Sequence, residues 1–379
     1  MRLFILVSVV AISGLSQGML LPLISILLEN HGVSSSINGV HATAMYIGIL
    51  LVSPFMEKPM RKYGYKPMII LGGFIVLLSL ALFPLWKSLF FWFILRFVIG
   101  IGDHMLHFAV QTWITDFSLP HRRGRNVSLY GLSFGIGFAI GPMIASLVEK
   151  NEALPFFVSS LLSVVSWAMV FLLQNERPEP AQDAPKSATH RFAETWKYAW
   201  TALLLPFTYG FLEASIHGIF PVYALREHLS VQQVATLLPA FSIGSILFQL
   251  PLGMLSDRFE RKRVLVGSLW IGVASFISAL FFLHSIVLFF CFFVAGMFVG
   301  SLFSLGITYM ADLLPKHLLP AGNLLSGILY SIGSMCGPFF IGWMLQYEQR
   351  GSFFLTISSL LFFVSIALFY TKRTEVAAK

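Results

Sequence analysis

The sequence predicts an all-α integral membrane protein of twelve transmembrane helices, arranged as two pseudo-symmetric six-helix bundles. Three observations lead there. Hydrophobic residues make up 57% of the 379 and charged residues 11%, against roughly 25% charged in soluble domains. Too little polar surface remains to face water on every side. The apolar residues fall in long continuous runs, each near the ~20 residues a helix needs to cross a bilayer. Finally, features of the first half recur in the second at a constant offset.

The runs place helices near 3–28, 37–56, 68–86, 89–115, 127–148 and 154–174, then 198–225, 231–255, 264–283, 286–311, 323–345 and 352–371. A β-barrel is excluded, because its strands alternate in segments of about ten residues. The first run is too long for a signal peptide and lacks an Ala-x-Ala cleavage site, so it reads as the first helix. Between the two sets, 174–194 is rich in Pro, Ala and charge (NERPEPAQDAPKSATHRFAE). Such a composition cannot bury a core and reads as a linker. The expected domains are 1–174 and 198–379, joined by a cytoplasmic linker over 175–197.

A formal charge of +8 would suit nucleic acid, but the basic residues sit in short loops between apolar runs. The bilayer, not nucleic acid, is the expected macroscopic partner. With both termini inside, 20 of the 25 Lys and Arg fall on inner segments and four (Lys87, Lys150, Arg226 and Arg350) on outer ones, while Arg96 lies within helix 4. The positive-inside rule then predicts a multi-pass protein of the cytoplasmic membrane with cytoplasmic termini. Cys291 and Cys336 both lie in apolar runs and support no disulfide framework.

The repeat is explicit in WITDFSLPHRRGRN (113–126) and YMADLLPKHLLPAGN (309–323), where Asp116 and Asp312 are offset by 196. Gly141-Pro142 and Gly337-Pro338 share that offset. Parallel six-helix repeats joined by a linker are a transporter plan, with the substrate site between them near mid-membrane. One loop sharpens the reading. GMLSDRFERKR (253–263), after helix 8, resembles the signature loop of the major facilitator superfamily, and the resemblance extends over essentially the whole chain. It implies that Gly253 allows close helix approach and that Asp257, Arg258 and Arg261 form a conformational latch. The loop after helix 2, SPFMEKPMRKYGYKP (53–67), is a degenerate equivalent, with Ser53 for the glycine, Glu57 for the aspartate and Lys58 for the arginine. LRFVIGIG (95–102) resembles the family pattern whose arginine, here Arg96, is implicated in proton coupling. GFAIGP (137–142), with Gly137, Gly141 and Pro142, resembles a motif associated with antiporters. Its repeat at Gly337 and Pro338 fits plain helix packing equally well.

Ionisable groups inside spans cost roughly 2.5–3.5 kcal/mol each on insertion scales and usually face a cavity with a partner. Helix 4 carries Arg96, Asp103, His104 and His107. At 100° per residue, Asp103 lies about 20° to one side of Arg96 and His107 about 20° to the other, one stripe in which His107 can reach back to Asp103. Helix 7 carries Tyr209, Glu213 and His217 at i, i+4 and i+8, again one face. Helices 1, 4, 7 and 10 line the cavity in the family resembled. Gln17, Ser304 and Thr308 are neutral candidates there, although bonding within their own helices is the plainer expectation for all three.

No P-loop or other enzyme signature is present, no cofactor is expected, and Asp103 with the two helix 4 histidines makes an incomplete metal shell. The expectation is a monomeric secondary active transporter that exchanges a small organic solute for protons. Glu213 and Asp103 would carry the proton, modulated by His217 and His107, while Arg96 would hold Asp103 or an anionic group. Proton-coupled uptake and a transport-dead sensor are the alternatives. Cysteines placed within 174–194, in a background lacking Cys291 and Cys336, should resist impermeant labels on intact cells while one at Lys150 reacts. Ready labelling within 174–194 would overturn the orientation.

Overall fold

The structure is a computed structural model, describing residues 1–118, 120–177, 188–283, 286–315, 318–347 and 351–370. All regular structure among them is helical. The spans are α1 (Arg2–Asn30), α2 (Ser35–Val52), α3 (Tyr65–Leu82), α4 (Leu89–Phe117), α5 (Pro120–Ala145), α6 (Leu154–Val170), α7 (Ala188–Gly218), α8 (Val231–Arg258) and α9 (Arg261–Phe281). There follow α10, in two segments (Ile286–Val299 and Leu302–Leu313), α11 (Leu319–Leu345) and α12 (Ser352–Tyr370). Ten helices among the described residues are long and apolar enough to cross a membrane. Phe192–Gly218 with Phe220–Arg226 makes an eleventh as one span bent by 45°, and the shorter apolar Leu154–Val170 completes twelve. Contacts divide the chain into two units: Met1–Val33, Val40–Gln182 and Ser230–Ala235 in one, Ser34–Gly39, Asp183–Leu229 and Thr236–Lys379 in the other. The linker read at 175–197 falls in part outside the described residues, over 178–187.

Helices in lipid gain nothing from hiding apolar surface from each other, so their association rests on close packing of small residues. In the first unit α1 and α5 meet backbone to backbone: a Cβ on Gly137 would lie 1.9 Å from the Ala11 carbonyl oxygen. In the second, α7 and α11 do the same, with a Cβ on Gly333 2.1 Å from the Phe207 oxygen. Both partners are shifted by 196. The same holds between α4 and α2, where Gly100 faces the Met45 oxygen, and between α10 and α8, where Gly296 faces the Phe241 oxygen, each at 2.0 Å from the Cβ position. What repeats is therefore a set of helix contacts. Gly141 and Gly337 lie in the first of these seams, against Met19 and Phe211 respectively, with Pro142 and Pro338 inside their helices.

Local departures have local causes. α2 stops at Val52, passes through a 3-10 turn opened by Pro54, and leads to a short helix over Glu57–Tyr63. Gly64 then turns the chain at φ 94°, where a Cβ would collide with Asn175 and Glu176. Its counterpart α8 runs unbroken to Arg258. The constant offset therefore pairs Arg61 with Asp257 and Tyr65 with Arg261. Matching Ser53 to Gly253 and Glu57 to Asp257 is off by one helical turn, because the break in α2 hides the register. At Gly253 itself a Cβ would meet nothing within 4 Å, so close helix approach does not account for that glycine.

The head of the linker belongs to the first unit. The Tyr65 amide donates to the Glu176 carbonyl (2.9 Å), Trp113 Nε1 to the Glu176 carboxylate (2.7 Å), and Asn175 Nδ2 to the Tyr63 carbonyl (2.8 Å). Arg2 pairs with Glu176 and lies 3.9 Å over the Phe117 ring. Below them Tyr65 stacks on Trp113 at 5.5 Å. The second unit is centred instead on Phe220, Phe276, Phe292, Phe353 and Phe354, all buried.

Gly333→Val should cost about 1–3 kcal/mol through overpacking and lower the melting temperature of purified protein by about 3 °C or more. Gly267→Ala, where the added methyl meets open space, should change it little. Equal effects would show that the seam does not hold the unit together.

Candidate functional site

Two polar clusters lie inside the spans, one in each unit. In the first, Asp103 is 4% exposed, and its carboxylate accepts from Ser13 Oγ and Gln17 Nε2, both on α1. His107, one turn along α4, lies 3.6 Å from the same carboxylate. Its Nε2 is 2.9 Å from Ser13 Oγ and its Nδ1 is 2.9 Å from the Tyr130 hydroxyl on α5. The result is a connected path, Tyr130–His107–Ser13–Asp103–Gln17, made from three helices.

In the second unit, Glu213 on α7 accepts from the Tyr209 hydroxyl at 3.0 Å and the Tyr330 hydroxyl of α11 at 2.6 Å. Phe303 of α10 packs on both tyrosines. The two hydrogen bonds to Glu213 come from tyrosines rather than from His217, which lies one turn further on, buried and edge-on to Phe241. The Glu213–His217 pairing inferred from the i+4 spacing is thus replaced by a tyrosine clamp.

The clusters occupy the same stations of the repeat. Ser13 corresponds to Tyr209, Gln17 to Glu213, His107 to Phe303 and Phe134 to Tyr330, each offset by 196. Even the ring contacts match: His107 meets Phe134 at 5.2 Å, and Phe303 meets Tyr330 at 5.4 Å, both edge to face. The acid has changed helix, standing on α4 in one unit and on α7 in the other.

The structure separates Arg96 from this group. It is completely buried, none of its guanidinium nitrogens has a hydrogen-bond partner among the described residues, and Asp103 is held by other groups. Seven residues span about 10.5 Å of helix, and leaning of the arginine toward the helix N-terminus carries it away from Asp103. It interacts electrostatically with His41 and Tyr46 of α2. His104 turns away as well, to Ser53 Oγ at 3.0 Å, and no group of three metal-ligating side chains forms among the described residues. Ser304 and Thr308 hydrogen-bond carbonyls of their own stretch, Ser301 and Ser304. Gln17, for which the same was expected, reaches Asp103 instead.

At the corner after α8, Arg261 pairs with Asp257 (2.9 Å) and with Asp312 at the end of α10 (2.7 Å), while Arg258 stays exposed. In the first unit the Arg261 station is Tyr65, whose hydroxyl donates to Asp116 at 3.1 Å. An ion pair in one unit is thus a hydrogen bond from an uncharged hydroxyl in the other. Ser13, Tyr130 and Tyr330 were missed in the sequence because hydroxyls carry no charge signal. Ser13 was reachable by applying the 196 offset to Tyr209.

Comparison with known proteins agrees with this architecture. The family model described as Major Facilitator Superfamily matches residues 6–223 and again 202–379. The chain is 54% identical over 367 residues to an uncharacterised MFS-type transporter, YfkF, of Bacillus subtilis (strain 168), covering 96% of this chain and 94% of that one. It is 21% identical to an uncharacterised MFS-type transporter, YcaD, of Salmonella arizonae, covering 87% and 85%. Among solved structures it is similar to the nucleoside transporter NupG (TM-score 0.76, 16% identity, covering 98% and 100%). A bacterial homologue of the human lysosomal transporter Spinster is also similar (TM-score 0.73, 14% identity, covering 97% and 94%).

Since Arg96 does not hold Asp103, Asp103→Asn should leave expression and the melting temperature of purified protein within about 2 °C of the parent. A larger loss that Arg96→Met then rescues would restore the pairing read from the sequence.

Proposed function

The chain belongs to the Major Facilitator Superfamily, and from that premise we propose that it is a secondary active transporter that exchanges a small organic solute for protons. It would work by alternating access in the cytoplasmic membrane, with both termini inside, and the exchange would export the solute. The superfamily is one of transporters and not of enzymes, so what this chain adds must be sought in its intramembrane groups.

One observation carries the reading. Each unit keeps a carboxylate inside a span and meets it with hydroxyl or amide donors rather than with lysine or arginine. A permanently paired acid would be fixed in its ionised form. Hydroxyls serve both forms, because a hydroxyl donates to a carboxylate and accepts from a carboxylic acid. Such an acid can gain and lose a proton without losing its partners, as coupling requires. Asp103 has in addition the His107–Tyr130 relay, whose two ring nitrogens connect the α1 and α5 sides. His107 and Ser13 are the groups that would pass the proton on. The outward direction rests on the likeness of GFAIGP to antiporter sequences.

The test is proton movement in everted vesicles from cells that make the protein. A panel of toxic organic solutes is added to a pre-formed pH gradient, and the release of an acid-accumulating dye is followed. Transported solutes should collapse part of the gradient, and cells lacking the protein should tolerate them less. Asp103→Asn and Glu213→Gln should each reduce the response at least about tenfold, a loss on the order of 1.4 kcal/mol in transition-state stabilisation. An undiminished response in the double variant would move coupling away from both acids.

A further inference from the structure

The surroundings of Glu213 suit a particular kind of solute. α7 and α11 touch at Gly210, where a Cβ would lie 2.2 Å from the Tyr330 carbonyl oxygen. This contact brings the Tyr330 ring across to the Glu213 carboxylate, three residues along. α10 breaks between Val299 and Leu302, and its second segment starts with Phe303 in its first turn. Three rings result. Tyr209 and Tyr330 are stacked with centroids 6.1 Å apart, Phe303 lies 6.0 Å from Tyr209, and Phe303 lies 5.4 Å from Tyr330. The carboxylate is joined to two of them through their hydroxyls. Tyr209, Glu213, Phe303 and Tyr330 are all only partly buried.

We propose that Tyr209, Phe303, Tyr330 and Glu213 form the binding site for a monovalent organic cation, an alkyl- or arylammonium. The proposal rests on the transport reading and names the solute class. A phenol that donates to a carboxylate gains electron density in its ring, and the ring face then attracts a cation more strongly. A quaternary or bulky ammonium has apolar surface to lay against rings and charge to set against the acid. A hard inorganic cation would instead seek six or more oxygens, and rings cannot supply them. An anion would meet a carboxylate with no fixed cation bonded to it. The titratable groups bonded to Glu213 are Tyr209 on its own helix and Tyr330 from α11, with His217 one turn further along α7 against Phe241, while α10 presents Phe303.

The site also defines an exchange. The Glu213 carboxylate takes either a proton or an organic cation as its neutralising partner. Arrival of the cation expels the proton, and no net charge accumulates at the site. The first unit has no equivalent, since its stations carry Ser13, Gln17, His107 and Phe134. The cation site is therefore a property of the second unit alone.

The test uses the full chain purified into lipid nanodiscs and three probes: benzyltrimethylammonium, benzoate and uridine. Calorimetry in buffers of different ionisation enthalpy should give binding of the ammonium with close to one proton released, and no binding of benzoate or uridine at the same concentrations. Glu213→Gln should lose at least about tenfold in ammonium affinity and all proton release. Phe303→Leu, which removes a ring but no hydrogen bond to Glu213, should weaken the ammonium about three- to tenfold with proton release intact. Tyr330→Phe keeps the ring and serves if Glu213→Gln fails to fold; it should alter the proton release and retain most of the affinity. Ammonium binding unchanged in Glu213→Gln or in Phe303→Leu would overturn the site, as would binding of uridine or benzoate in place of the ammonium. If the ammonium does not bind while other solutes still drive proton movement that Glu213→Gln abolishes, the cation site falls and the transport reading stands. If the ammonium binds with proton release but no solute moves protons in vesicles, the site stands and the transport reading falls.

Discussion

The backbone-to-backbone contact of α1 with α5, and of α7 with α11, is the constraint on which the polar interior depends. In lipid a helix pair is held by packing, so the depth and rotation at which two helices touch is set by where glycines fall. Gly14 and Gly210 bring the carbonyls of Phe134 and Tyr330 to 2.4 and 2.2 Å of a would-be Cβ. At that spacing side chains three or four residues away can bridge the pair. Glu213 is reached by Tyr330 for this reason, and His107 meets Phe134 beside Ser13. With a larger residue at Gly210 the Tyr330 hydroxyl would stand too far off, and Glu213 would keep only the donor on its own helix, Tyr209.

The repeat fixed positions and left chemistry free. Arg96 in α4 corresponds to Phe292 in α10, and both are completely buried. One sits in an aromatic cluster with Phe220, Phe276 and Phe354, while the other places a guanidinium with no hydrogen-bond partner among the described residues. Asp103 corresponds to Val299 and Tyr65 to Arg261. Each unit thus keeps a different part of the ionic inventory: the first a buried acid, histidine and arginine, the second an acid among aromatics and an ion-paired corner.

Much of the fold was legible because composition and run length depend on the solvent, which in lipid admits few solutions. The twelve spans, the loop charges and the Asp116–Asp312 and Gly-Pro repeats needed only the sequence. Helix-face geometry also brought Asp103 to His107 and Tyr209 to Glu213, because residues four apart share a face whatever surrounds them. Partners from other helices were not legible. Ser13, Tyr130 and Tyr330 are common residues in apolar runs, and only the three-dimensional seam tells which hydroxyl looks inward. The Arg96–Asp103 link failed for a related reason: rotation places two residues on one stripe, but it says nothing of the two turns of helix between them. The register of the loop after α2 was harder to read because a proline-opened 3-10 turn interrupts the helix there, whereas α8 is continuous.

The gap-free offset has a practical side. Contacts from Ala11 to Gly141 in the first unit have counterparts 196 residues on, from Phe207 to Gly337, with no insertion or deletion between them. Where the helix contacts match, a position in this stretch has a twin in a similar backbone setting, often with a different side chain. Exchanging the members of a twin pair changes chemistry while holding composition, chain length and lipid environment constant. The molecule supplies its own isomers, and a difference between them measures location rather than residue type.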